Sequence, residues 1–152
     1  MVIRRAGFQR ILPVEAGEVV LGRIVLPAEN TPVKSVGDTL VPSPRWRYKG
    51  PACTINLTYQ VGRWSTLGFA GDTAIVPESL NQPASDTWQE FSPDRALKGV
   101  TLTGLKESPD DRYDMEMWFK SPAFADQGAI FTDCCEVPAV VGELEIISCS
   151  FS

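Results

Sequence analysis

The stretch Cys53-Thr-Ile-Asn-Leu-Thr-Tyr-Gln-Val61 decides the fold class of this chain. Apolar and polar residues alternate through all nine positions, with Ile55, Leu57 and Tyr59 among the apolar ones. Successive side chains of a strand point to opposite faces of a sheet, so the apolar set shares one face. The stretch therefore predicts a β-strand with one buried face and one polar face.

Weaker strand patterns lie on both sides of this stretch. Tyr113, Met115 and Met117 alternate with polar residues, which predicts a strand, although Met, Glu and Lys also favour a helix. Gly22 lies inside a run rich in Val and Ile, where it predicts a β-bulge. The remaining predicted strands cover residues 18–26, 63–69, 100–105, 129–132 and 142–151.

Helix signals are short. Ser92, Pro93 and Gly99 have the order of an N-cap, a first helical residue and a C-terminal glycine, so they predict a short helix over 92–99. Residues 121–126 predict one further helical turn. Many short strands separated by Gly and Pro predict an all-β fold, either an antiparallel β-sandwich or a barrel, with short helical turns.

The N-terminal third differs from the rest in proline content and charge. Six of the 12 prolines lie within residues 13–51, and each removes a backbone hydrogen-bond donor. Residues 1–50 carry a net charge of +4 and residues 51–152 a net charge of −9, within a total of −5. We therefore expect an extended, basic, Pro-rich N-terminal arm (1–50) and an acidic β-sandwich body (51–152). Opposite charges favour binding of the arm to its own body or to a neighbouring copy.

The composition excludes several kinds of chemistry. The chain contains no histidine, which removes Ser-His-Asp and Cys-His nucleophile activation and His-ligated zinc. The four cysteines lack the paired spacing of a Cys-only zinc site, so we expect free thiols at Cys53, Cys134, Cys135 and Cys149. An acidic run at Asp110, Asp111 and Asp114 lacks the EF-hand spacing and predicts a solvated turn. We expect no enzyme activity, no cofactor and no metal site.

The chain also lacks the signals of export or membrane insertion. No apolar h-region follows Arg4 and Arg5, because Pro13, Glu15 and Glu18 interrupt the run, so we expect no signal peptide and synthesis in the cytoplasm. No stretch approaches the ~20 apolar residues that span a bilayer, so we expect no membrane partner.

Basic and aromatic residues are the candidates for an interface with other proteins. The alternation of base and aromatic in residues 45–49 is also typical of single-strand nucleic-acid binders, but the acidic body disfavours phosphate, so we expect no nucleic-acid partner. Trp118 shares a face with Glu116 and Lys120 opposite the predicted core, which suits sugar stacking as well as an interface. The candidate interface residues are Arg4, Arg5, Arg10, Trp46, Arg47, Tyr48 and Trp118.

Three features together carry a resemblance to a known class of protein. They are the Pro-rich stretch Ala28-Glu-Asn-Thr-Pro-Val-Lys-Ser-Val-Gly-Asp-Thr-Leu-Val-Pro-Ser-Pro44, the division of charge, and the predicted strand at the C-terminus. In general character the chain resembles small all-β bacteriophage virion structural proteins, which include head-decoration (cement) proteins and tail proteins. The resemblance implies location in the virion, a homo-oligomer such as a trimer, and a neighbouring virion protein such as the major capsid protein as partner.

These observations predict a non-catalytic structural assembly protein of a virus particle. The preferred form is a capsid decoration (cement) protein that stabilises a shell through interface burial, with a phage tail structural protein as the second form. The alternative is a carbohydrate-binding β-sandwich module that stacks sugars on exposed Trp and Tyr.

Overall fold

The computed structural model of the chain describes residues 18–20, 22–139 and 144–152. All regular secondary structure in these residues is β-strand, and none of them is helical, so the predicted all-β class is confirmed. The strands are β1 (Glu18–Val20), β2 (Arg23–Pro27), β3 (Thr39–Leu40), β4 (Trp46–Gly50), β5 (Cys53–Ser65), β6 (Gly68–Gly71), β7 (Val76–Gln82), β8 (Ser85–Phe91), β9 (Val100–Thr101), β10 (Arg112–Ser121) and β11 (Phe124–Glu136).

The main sheet has seven strands in the order β1-β2-β11-β10-β5-β6, with β7 also paired to β5. β5 is 13 residues long, so its first half pairs with β7 and its second half with β6. A side chain at Gly62, where β6 begins to pair, would overlap the carbonyl oxygen of Ala70. The long strand therefore needs a glycine at that point to hold its second neighbour.

Two small sheets, β3–β9 and β4–β8, pack against one face of the main sheet, its inner face. Trp46 of β4 lies on Phe119 of β10 with ring centroids 5.5 Å apart, and Tyr48 lies on Phe124 of β11 at 6.2 Å. Leu40 of β3 belongs to the same buried cluster as the inward residues of β5. The hydrophobic core thus lies between the main sheet and the two small ones.

The alternation that predicted β5 and β10 describes the core correctly. On β5, Ile55, Leu57, Tyr59 and Val61 are at most 1% exposed. On β10, Tyr113, Met115 and Met117 are buried on the same inner face. The strand prediction for residues 113–120 is confirmed, and the helical alternative is wrong.

The short helices predicted over residues 92–99 and 121–126 are wrong. The amides of Lys98 and Gly99 donate instead to the Glu78 carboxylate at 2.6 Å and to the Tyr59 hydroxyl at 2.8 Å. Acceptor groups on the main sheet therefore bind backbone amides that would form intrahelical hydrogen bonds in a helix. Residues 122–123 form the turn of the β10–β11 hairpin.

Several strand boundaries also differ from the sequence prediction. Residues 18–26 form two antiparallel strands rather than one bulged strand, because Gly22 adopts a positive φ of 79° in the turn between them. The strand predicted over 63–69 is split, since residues 63–65 continue β5 and β6 begins at Gly68. Of residues 100–105 only the first two are in a strand. Residues 144–151 belong to no strand, so the predicted C-terminal strand is wrong for the described part of that segment.

The described part of the N-terminal third is joined to the rest of the chain by pairing. β2 pairs in parallel with β11, so the main sheet is mixed and the prediction of a purely antiparallel fold is wrong. β3 pairs with β9, and β4 pairs with β8. In the Pro-rich stretch, Val33 forms a bridge with Glu136, and the Lys34 amide donates to the Glu136 carbonyl at 2.8 Å. The division into an arm (1–50) and a body (51–152) stays a prediction, and residues 1–17 lie outside the described part.

Candidate functional site

A groove of about 740 Å³ opens between the inner face of the main sheet and the chain that leads from β2 to β4. Apolar residues of β2, β10 and β11 form its floor, and prolines with the start of β4 form its wall. We call it the Arg45 groove; its main apolar residues are Leu26, Met115, Met117, Phe131, Pro42, Pro44 and Trp46. Ligand-binding clefts of proteins commonly have about 300–1,000 Å³ and an apolar lining, so the groove has the size and character of a binding site.

Arg45 lies at the rim of this groove between two carboxylates. Its Nη1 donates to Glu90 and its Nη2 to Glu29, both at 2.7 Å. The hydrogen bonds with Glu90 and Glu29 raise the pKa of the Arg45 guanidinium above its ordinary value. All three side chains are more than half exposed, so water screens the pairs and they add little to stability. Breaking these rim pairs would therefore cost little stability.

The C-terminal segment, residues 144–152, is the most exposed apolar part of the described chain. Leu144, Ile146, Ile147 and Phe151 are 86–90% exposed. Single exposed apolar residues are normal on protein surfaces, but four within eight positions are an unusual concentration, of the kind found at interaction sites. The alternation of a strand covers only Leu144 to Ile146 and ends at Ile147, and among the described residues no strand lies beside the segment.

The predicted interface residues are spread over three environments. Tyr48 is buried, and its hydroxyl donates to the Pro51 carbonyl at 2.7 Å. Trp46 is half-buried, and its Nε1 donates to Gln82 at 2.6 Å. Arg47 is exposed on the outer side of β4, with its guanidinium 5.4 Å from the ring centroid of Trp88. Their role in an interface stays a prediction, and Arg4, Arg5 and Arg10 lie outside the described residues.

Trp118, the remaining predicted interface residue, lies half-buried on the outer face of the main sheet. A Cβ at Gly128 would lie only 2.7 Å from its ring, so the glycine makes room for the indole. The Lys120 ammonium lies 5.8 Å from the ring centroid. Beside it, Arg23 pairs with Glu116. The ring is thus partly enclosed by its own sheet, which leaves less of it for a ligand than the sequence suggested.

A buried polar network connects β5 and β7 with the loop before β9. The Glu78 carboxylate accepts from the Tyr59 hydroxyl at 2.7 Å, from the Lys98 amide and from Arg95 Nη1 at 3.0 Å. Burial opposes ionisation of Glu78, but these three donors outweigh it and leave its pKa below the ordinary value. Burial, assisted by Glu78, raises the pKa of Tyr59, so its hydroxyl stays protonated and donates. Every polar group here has a partner within the chain, so the network holds the loop in place.

The acidic run at residues 110–114 does not gather its carboxylates. Asp110 accepts from the Arg112 amide and the Ser108 hydroxyl, each at 3.0 Å. Asp114 accepts instead from the amides of Trp64 at 2.7 Å and Asp133 at 2.9 Å. In the part of the chain that the structure describes, no group of three or more acidic, Cys or His side chains is placed to hold a metal ion.

Comparisons with known proteins add no relative: no protein family, no curated protein and no solved structure matches this chain. Among the described residues, no helix has the length and apolar character needed to cross a membrane. The candidate site therefore rests on the geometry of the groove and of the C-terminal segment alone.

The residues that build this site were not all recognisable in the sequence. Glu29, Arg45 and Glu90 meet at the rim although they are far apart along the chain, and no local pattern connects them. The C-terminal segment did give a signal, since its alternation predicted a strand. Only the structure shows that this strand pattern is left without a neighbouring strand in the described chain.

Proposed function

We propose that the chain is a non-catalytic structural assembly protein that uses its exposed C-terminal segment to bind another protein chain. The observation that carries this proposal is the exposure of 86–90% at Leu144, Ile146, Ile147 and Phe151. A strand satisfies its backbone donors and acceptors only when another strand lies beside it. A segment with a strand pattern and no such neighbour is suited to pairing with a second chain.

The magnitude of the apolar burial favours an assembly with several contacts over an isolated pair. Full burial of one large apolar side chain contributes about 1.5–3 kcal/mol, so the four contribute at most about 6–12 kcal/mol. Association of two proteins costs about 4–15 kcal/mol in lost freedom alone. One segment therefore binds weakly, whereas several segments acting together in a closed oligomer or on a lattice bind firmly.

The setting we propose for this assembly is a virus particle. In the preferred form, the chain is a homo-oligomer such as a trimer and decorates the capsid shell as a cement protein beside the major capsid protein. In the second form, it is a structural protein of the phage tail. Supporting this are the resemblance in general character to small phage virion proteins and a body that we interpret as a β-sandwich, with the two small sheets as its second layer.

The experiment that tests assembly replaces Leu144, Ile146, Ile147 and Phe151 together by serine. Light scattering after gel filtration measures the mass of the full chain and of this variant over a range of concentrations. We expect the full chain to exceed the monomer mass of 16.7 kDa and the variant to have that mass, with the same melting temperature. The control is Leu67→Ser, since Leu67 is 95% exposed but stands alone in the turn before β6. Equal masses for the full chain and the quadruple variant would contradict the proposal.

A second candidate function, carbohydrate binding, is favoured by one observation. Trp88 on β8 is 60% exposed, and Arg47 beside it supplies hydrogen-bond donors next to the ring. Exposed indoles stack on sugar rings through their apolar faces. This function predicts a change of tryptophan fluorescence on addition of a glycan, lost in Trp88→Ala and retained in Trp118→Ala. Unchanged fluorescence across a broad glycan panel would exclude it.

A further inference from the structure

The Arg45 groove and the C-terminal segment are both present in every copy of the chain. We propose that the C-terminal segment of one copy binds in the Arg45 groove of a second copy, as a strand beside β4. This inference rests on the proposed function and names the surface that receives the segment.

The strand β4, which begins at the groove wall, has one edge without a partner strand among the described residues. β4 pairs with β8 on one edge, and no other described strand pairs with it. Trp46 and Arg47, at the start of β4, form part of the groove wall. An extended segment laid beside β4 would receive main-chain hydrogen bonds from that edge and would lie above the apolar floor. Of the floor residues, Met115 and Met117 are at most 3% exposed, so the half-buried Leu26 and Phe131 are the ones that an incoming segment can contact.

The C-terminal segment has the composition of a strand that binds in this way. Residues 144–152 contain no Pro and no Gly, and Ile146, Ile147 and Phe151 are β-branched or aromatic. On one face of such a strand, Leu144 and Ile146 would contact the apolar lining of the groove. The segment follows β11 along the chain, and β11 itself contributes Phe131 and Cys134 to the groove.

The charges of the two partners are complementary and fit the period of a strand. On β4, Trp46 and Tyr48 point inward, and Arg47 and Lys49 are exposed between and after them. At the start of the C-terminal segment, Glu145 stands between Leu144 and Ile146. When Leu144 and Ile146 face the groove floor, Glu145 lies on the outer side with the basic residues of β4, and Ile147 and Phe151 share that outer side by the same period. Opposite charges on facing strands stabilise pairing.

A second copy, rather than the same copy, is the occupant that the structure favours. Within one chain the four apolar residues of the C-terminal segment remain 86–90% exposed although the groove is open. The rim pairs of Arg45 are screened by water and yield to an incoming strand. The exchange of identical segments between copies gives a closed dimer when reciprocal and a ring or a lattice when it is not.

Cysteine cross-linking tests this inference with the full chain. Cys149 is an exposed thiol in the C-terminal segment, and Ser43 is an exposed residue of the groove wall. The variant Ser43→Cys is treated with oxidised glutathione, which accepts the two electrons released when a disulfide forms. The matched control is Thr66→Cys, since Thr66 is also an exposed hydroxyl residue but lies in the turn before β6, away from the groove lining. Adding Cys149→Ser to each variant identifies the cross-linked bands on a non-reducing gel that depend on the thiol of the C-terminal segment.

Mixing tagged and untagged chains shows whether the disulfide joins two copies. We expect covalent dimers of three masses from Ser43→Cys, at several times the yield of the Thr66→Cys control, and none after Cys149→Ser. A disulfide within one chain, or a yield equal to the control, would overturn the inference. If the quadruple serine variant abolishes oligomers but the groove does not cross-link, the segment binds elsewhere and only this inference fails. If the full chain is a monomer at every concentration, the proposed function fails with it.

Discussion

The hydroxyl of Tyr59 offers the sharpest test of how this fold is held together. Tyr59 is 1% exposed, and its hydroxyl donates to Glu78 at 2.7 Å while accepting from the Gly99 amide at 2.8 Å. The substitution Tyr59→Phe removes both hydrogen bonds and keeps the ring. Because the loop before β9 is not helical, these bonds and their neighbours fix its position on the main sheet.

The expected loss follows from the two bonds separately. A hydrogen bond to a charged group contributes about 1.5–3 kcal/mol, and a buried donor left without a partner costs about 1–3 kcal/mol. Gly99 is half-buried, so water can partly replace the hydrogen bond that its amide loses. We therefore expect Tyr59→Phe to lower the free energy of unfolding by about 2–4 kcal/mol. In a chain of this length, 1 kcal/mol shifts the melting temperature by about 2–4 °C, so we expect a decrease of about 4–16 °C.

The control for this measurement is Tyr113→Phe. Tyr113 is 5% exposed, and its hydroxyl donates one bond, to the Lys106 carbonyl at 2.7 Å. A neutral hydrogen bond contributes about 0.5–1.5 kcal/mol, so this variant should lose less. Urea unfolding followed by tryptophan fluorescence gives both free energies, and hydrogen exchange should show faster exchange at Lys98 and Gly99 only in Tyr59→Phe. A loss in Tyr59→Phe no larger than that in Tyr113→Phe would refute the reasoning.

Three further outcomes are expected. Glu78→Gln should lower the free energy of unfolding most near neutral pH. The pKa of Glu78 in the folded chain lies below its unfolded value of about 4.5, so the stabilisation by the carboxylate is complete above that value and is lost as the pH falls through the folded pKa. A difference in stability between the variant and the unsubstituted chain that does not narrow in acid would contradict this. Met117→Ala should cost about 2–5 kcal/mol in urea unfolding, because Met117 is 1% exposed in the core, whereas a loss under about 1 kcal/mol would show that the site collapses without a cavity. Arg45→Ala should leave the melting temperature unchanged within scatter, since both of its partners are exposed, and a clear decrease would show that the groove rim is part of the fold's support.

The structure changes how the N-terminal third can be studied. The sequence predicted an extended arm (1–50) beside a separate body (51–152). β2 pairs along five positions with β11, and β4 places Trp46 and Tyr48 in contact with the main sheet. Removing them would expose part of the inner face, so substitutions in the C-terminal segment are the cleaner test of assembly.

The sequence by itself determined which residues of β5 and β10 are buried. Side chains of a strand alternate by local geometry, so Ile55 and Leu57 on one strand and Met115 and Met117 on the other indicate a buried face without knowledge of the partner. The sequence also predicted a strand over residues 142–151, which is wrong for the described residues 144–151. It did not predict β7, whose inward positions include Glu78 and Gln82, because buried polar residues resemble exposed ones until their partners are known.

Only the tertiary structure decided which strands are neighbours. Three contacts join residues that are distant along the chain. Residues 23–27 pair in parallel with residues 128–132, Arg45 binds both Glu29 and Glu90, and the 92–99 loop donates to Glu78. Such contacts depend on how whole strands and loops pack together, so the alternation of residues within one strand does not predict them. The same reason explains why residues 144–151 do not form the predicted strand: a strand forms only where a neighbouring edge satisfies its backbone, and we propose that a second copy supplies that edge.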